Sequence, residues 1–151
     1  MSDPITIAQY DALIREVLAS GGEFRIYPHG TSMLPLLRQG RDSVALRQLD
    51  RPVQKHDILF YQRPDGSYVL HRVKAVTPHG LVLWGDHQHV PEYGVEESQV
   101  IGYAARIFRD DNEVDCQRIT YRLYVAFWQF IAVRKVLLPI AYHLRKEKQK
   151  C

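Results

Sequence analysis

The stretch Ile58-Leu59-Phe60-Tyr61-Gln62-Arg63-Pro64-Asp65-Gly66-Ser67-Tyr68-Val69-Leu70-His71-Arg72-Val73 decides the fold. Ile58 to Tyr61 is apolar throughout, the pattern of a strand buried on both faces. Pro64-Asp65-Gly66-Ser67 has the chemistry of a hairpin turn: proline presets one backbone angle and glycine accepts a positive one. Tyr68 to Val73 returns as the partner strand. Downstream, Pro78-His79-Gly80 turns the chain into Leu81-Val82-Leu83-Trp84, which ends at Gly85-Asp86. A polar loop from His87 to Ser98 leads to a further strand, Val100 to Ile107. Upstream, Phe24, Ile26 and Tyr27 mark a short strand, and Gly40-Arg41-Asp42 turns into Ser43-Val44-Ala45-Leu46. Short strands separated by turn signals predict a mainly β (α+β) fold, a curved antiparallel sheet or small barrel.

Helices flank this core. Ile5, Ile7, Ala8, Leu13, Ile14, Val17 and Leu18 form a helical stripe over residues 5–19, stopped by Gly21-Gly22. From about Ile119 to Tyr142 the chain turns strongly apolar and reads as a long helix, with Pro139 set to kink or end it. Leu123 to Val133 is uncharged, but Arg134 and Lys135 interrupt the run. Each would cost about 2.5–3.5 kcal/mol inside a bilayer. The reading is therefore a helix against a membrane interface, a protein partner or its own sheet, rather than a span. The expected organisation is an N-terminal helix at 1–22, a core at 23–110, and an apolar helix with a basic tail at 119–151.

Length and composition bound the function classes. At 151 residues the chain is expected to form one domain with a real core, and 46% hydrophobic with 25% charged residues fits a globular protein. A net charge of +3, concentrated in the tail from Arg134 to Lys150, gives weak support for a nucleic-acid partner. Only about 22 residues precede the first strand, too few for a helix-turn-helix and linker, so no nucleic acid is expected. Two cysteines, Cys116 and Cys151, do not make a disulfide scaffold and suit a reducing compartment. Residues 1–20 lack a basic start followed by an apolar run, so no secretory signal is read there. A cytoplasmic location, with peripheral membrane attachment as an open variant, is expected, and a homo-oligomer is compatible with it.

Chemistry concentrates in Gly30-Thr31-Ser32-Met33-Leu34-Pro35. A serine hydroxyl is a weak nucleophile unless a base takes its proton, and it needs backbone donors for the oxyanion that forms. Gly30 permits a bend, Met33 and Leu34 anchor the segment, Pro35 stiffens it, and the Ser32 amide is a candidate oxyanion donor. His71, embedded in its strand, is the candidate base. Asp86 at the end of the next strand is a candidate to fix the imidazole tautomer, with Glu92 as the second candidate. Asp86, His87 and His89 lie close in sequence, but they lack a further ligand for a metal, so neither metal nor cofactor is expected.

Four segments then stand in order: Gly30-Thr31-Ser32-Met33-Leu34-Pro35, Lys55-His56-Asp57-Ile58-Leu59, His71-Arg72-Val73 and Gly85-Asp86-His87. From about Phe24 to Ile107 the chain resembles the S24/S26 peptidase superfamily. Within it, the chain is similar to the serine–histidine signal peptidase I of archaea, the endoplasmic reticulum and some Gram-positive bacteria. That family carries a Gly-x-Ser-Met-x-Pro box, a Gly-Asp-Ile/Val step, a His-Arg pair and a Gly-Asp-Asn motif. The resemblance implies that Ser32 is the nucleophile of a serine endopeptidase, that His71 is its base and that Asp86 matches the motif aspartate. Its substrate would be a peptide or protein. Lysine-base relatives carry lysine where this chain has His71; Lys74 lies three residues on, on the opposite face by period two. His56 stands where the family has glycine, His87 where it has asparagine, and Glu92 near a second family aspartate. The membrane anchor typical of signal peptidases is not read here. A catalytically silent peptide-binding module on the same fold is the alternative.

Overall fold

A computed structural model of the protein describes residues 7–130. Helix α1 (Ile7–Ala19) buries Ile14 and Leu18. It ends where Gly21 takes a φ of 81° and donates its N–H to the Leu18 carbonyl, a left-handed cap that glycine adopts without a Cβ clash.

The strands are β1 (Phe24–Ile26), β2 (Asp42–Arg47), β3 (Ile58–Gln62), β4 (Tyr68–Thr77), β5 (Gly80–Trp84), β6 (Glu92–Val95), β7 (Val100–Arg109) and β8 (Asn112–Glu113). They form one sheet in the order β1-β2-β7-β3-β4-β5-β6, with β8 on β7 and every pairing antiparallel. β1 and β6 are its two edges, so the sheet is open, not a closed barrel. Register shifts at Ala45/Leu46, Phe60/Tyr61, Val73/Ala75 and Leu81/Leu83 curve it, because an extra residue on one strand bends the ladder. The hairpin legible at 58–73 is present: Tyr61 faces Val69, Leu59 faces His71, and the turn closes with an Arg63 N–H bond to the Ser67 carbonyl.

Alternation along the strands feeds two cores. Ile58, Phe60 and Leu70 join Ile14, Leu18, Met33, Leu36, Leu37 and Ile107 under α1 and the serine loop. Leu59, Tyr61 and Val73 join Leu81, Leu83 and Val95 on the other face.

Helix α2 (Ile119–Trp128) packs Val125 and Trp128 inward and exposes Ile119, Leu123 and Phe127. The helix expected to run on to residue 142 stops at Trp128, where Gln129 forms its C-cap and Phe130 leaves it; residues 131–142 and the basic tail lie outside the described residues. No helix among the described residues is long and apolar enough to cross a membrane.

Candidate active site

The serine loop is a turn driven into the core. Gly30 bends at φ 84° and its N–H donates to Gln39 Oε1 at 2.9 Å. Leu34 N–H then bonds Thr31 O, and Leu37 N–H bonds Met33 O. One helical turn thus presents Met33, Leu36 and Leu37 on a single side, at 3%, 5% and 2% exposure. These residues anchor the segment; Leu34, expected to share that role, is only half-buried. Ser32 stays half-buried, and its amide finds no acceptor among the described residues.

The strand-end turn 85–88 holds this loop. The His87 N–H donates to the Ser32 carbonyl at 2.8 Å. Gly85 lies so close beneath that a Cβ there would come within 2.7 Å of the same carbonyl oxygen. The glycine of Gly85-Asp86 is required by this approach.

Ser32 and His71, 39 residues apart, line one cleft of about 270 Å3 with Ile26, Met33, Phe60 and Leu70. The cleft exists because β4 outruns β5. β5 pairing ends at Trp84 opposite Arg72, so Tyr68 to His71 pair only with β3 among the described residues. Along that stretch Tyr68, Leu70 and His71 line the cleft together with Ser32 and Met33. Other clefts, of about 350, 500 and 480 Å3, have no histidine in their walls. Within the shared cleft, the Ser32 hydroxyl makes no hydrogen bond to His71.

His71 is 2% exposed. Burial first, and then the Arg63 charge, push its pKa down to about 4, against the opposing pull of Glu92 and Asp86. It is therefore neutral at pH 7, the form that accepts a proton. Its Nδ1 lies 3.1 Å from the Tyr61 hydroxyl, which donates to Glu92 Oε2 at 2.7 Å. Glu92 is 4.0 Å from Nδ1 and is gripped by Arg63 through Nε and Nη2. Burial raises Glu92, but the bonds from Arg63 and Tyr61 outweigh it and hold the carboxyl below its ordinary range.

Asp86 does not take the place expected of it beside the imidazole. Its carboxylate receives Arg72 Nε and Nη2 at 3.0 and 2.9 Å and the Tyr124 hydroxyl at 2.8 Å, while its carbonyl accepts Trp128 Nε1 at 2.6 Å. The reason is the strand period: His71 and Arg72 are neighbours and point to opposite faces, and Asp86 pairs with Arg72. Burial works against the Arg72 charge, yet Asp86 holds its pKa above the ordinary value. Asp86 is thus a structural anchor joining β4, the 85–88 turn and α2. The carboxylate on the histidine side is Glu92.

Lys74 lies with its Nζ 4.5 Å from the centre of the Trp84 ring. Among the described residues no three His, Cys, Asp or Glu side chains group to hold a metal. His56, at the family's glycine position, has a φ of 79°, the left-handed region that favours glycine. Tyr61 and Arg63 did not figure as candidates in the sequence. The hairpin register carries the missing signal, since Tyr61 opposite Val69 is the diagonal neighbour of His71 on the same face.

Comparison with protein-family models, with curated proteins and with solved structures returns no match.

Proposed function

We propose that the protein is a serine endopeptidase of the signal-peptidase-like type, acting on a peptide or protein through Ser32 and His71. The observation that carries this reading is the shared cleft: Ser32 and His71, distant in sequence, line the same small space, and His71 is the buried histidine among the described residues. His71 takes the Ser32 hydroxyl proton as the oxygen attacks the scissile carbonyl. The tetrahedral intermediate collapses, the C–N bond breaks, and His71 returns the proton to the leaving amine. Water, deprotonated by the same ring, then hydrolyses the acyl-serine ester. The Ser32 amide is the donor offered to the oxyanion. The ordered resemblance of four segments to the S24/S26 superfamily supports the same assignment.

The test is hydrolysis of a peptide library by the purified chain, by Ser32→Ala and by His71→Ala. Loss of cleavage in both variants is expected; undiminished cleavage by Ser32→Ala removes the serine from the mechanism.

The missing Ser32–His71 hydrogen bond favours a second reading, a silent module that receives an extended peptide along the uncovered edge of β4. A covalent adduct on Ser32 with a serine-directed phosphonate rules that reading out.

A further inference from the structure

We propose that Tyr61 is a positioning residue, standing between Glu92 and His71 and fixing the imidazole as its Nδ1–H tautomer. The inference rests on the assignment of His71 as the base and names the device that prepares it.

The proton count on the three groups has one solution. The Glu92 carboxylate is paired with Arg63 Nη2 at 2.8 Å, so it is ionised and only accepts. At 2.7 Å, Tyr61 must therefore donate its single hydroxyl proton to Glu92. That proton is then committed. In the 3.1 Å contact with His71 the tyrosine oxygen can only accept, and Nδ1 must carry the hydrogen. A neutral imidazole with hydrogen on Nδ1 has a bare lone pair on Nε2. Nε2 makes no hydrogen bond among the described residues, and His71 is among the residues lining the cleft that holds Ser32.

The groups facing the ring are Tyr61 from β3, Arg63 from the hairpin turn, Glu92 from β6, and Asp86 acting from the far side of the sheet. Among the described residues, the Tyr61 hydroxyl is the one hydrogen-bond partner of Nδ1. Glu92, at 4.0 Å, acts on the ring by its charge and, through hydrogen bonding, by way of that hydroxyl. When Nε2 accepts the serine proton, the new positive charge is met by a tyrosine oxygen whose own proton leans toward a carboxylate. The arrangement performs the task of a directly bonded carboxylate while keeping Glu92 in its Arg63 pair.

The experiment is ¹⁵N NMR of the histidine ring in the full chain near neutral pH, with no substrate present. In the native protein Nδ1 is expected to show the shift of a protonated nitrogen and Nε2 that of a bare one. In Tyr61→Phe the acceptor is gone. In Glu92→Leu the hydroxyl proton is released to turn toward Nδ1. Both variants should gain the Nε2–H form, and their kcat/KM should fall about tenfold to a hundredfold with little change in KM, part of the roughly 10²–10⁴ that a positioned base supplies. Glu92→Asp, which keeps the charge, should recover part of both signals. An Nε2–H tautomer in the native protein overturns the proposal, and that reading needs no variant to fold. Retention of the Nδ1–H form in both folded variants overturns it as well, whatever their activity. Ser32→Ala separates the two readings: full cleavage by that variant sinks the peptidase, whereas the tautomer stands or falls by its own spectrum.

Discussion

Replacing Gly85 by alanine tests whether the 85–88 turn sets the position of the serine. The added Cβ would lie 2.7 Å from the Ser32 carbonyl oxygen and 3.0 Å from Gln88 Cδ and Oε1. The Gln88 side chain can swing aside, but the Ser32 carbonyl is backbone. Reaching the 3.4 Å at which ordinary contact begins requires a displacement of roughly 0.7 Å. The carbonyl also holds the 2.8 Å bond from the His87 N–H, so the shift strains that bond. Overpacking of this kind costs about 1–3 kcal/mol. A misplacement of about 1 Å at a nucleophile can cost on the order of 10²-fold in rate. Gly85→Ala should therefore lose about 1–3 kcal/mol in urea denaturation. In the proportion still folded, the proposed peptide hydrolysis should fall by one to two orders of magnitude, with faster amide exchange at 31–37. A variant that keeps native stability and native exchange across 31–37 refutes the argument, because the serine loop would then not depend on close approach at Gly85.

Four further outcomes follow from the same geometry. Folded His71 titrates at about 4 against an ordinary 6.5, so between those values the unfolded chain binds the extra proton. Stability should fall as pH drops from 6.5 toward 4, by about 3 kcal/mol in all. By the same shift the acid limb of kcat/KM should be half-complete near pH 4; a midpoint near 6.5 contradicts the buried site. Asp86→Asn leaves Arg72, 1% exposed, without its counter-charge and should cost about 3–5 kcal/mol in urea denaturation. Replacing both with apolar residues should cost less than the sum of the single changes, and strict additivity argues against the pairing. At His56, whose φ is 79°, glycine should be more stable than alanine by about 1 kcal/mol. Thermal unfolding that ranks alanine above glycine refutes the left-handed assignment.

The fold was legible where local rules suffice. Pro64-Asp65-Gly66-Ser67 specifies a turn by its own backbone preferences, and the strands on either side alternate between two apolar cores as their composition suggests. Ser32 and His71 were legible as candidates, and they share a cleft. Asp86 was not placed by the same reading. Its position at a strand end does not say which face it serves, and that face is set by the Arg72 pairing and by Tyr124, more than 35 residues downstream. Tyr61 looked like one more apolar strand residue, because nothing local distinguishes a hydroxyl packed in hydrocarbon from one aimed at a carboxylate. Barrel closure was equally beyond local reading, since it depends on whether the outer strands β1 and β6 meet.

The neighbouring residues His71 and Arg72 divide their labour between two sides of one ribbon. One lines the cleft; the other is sealed with Asp86 beneath a helix. Selection can therefore act on reactivity and on architecture separately within a dipeptide. A descendant without the proposed hydrolysis would be free to drift at position 71 while still needing the arginine, the glycine and the aspartate that tie its scaffold together. Such a chain would keep most of its motif spelling, and the ring, more than the spelling, would distinguish the two sides of the dipeptide.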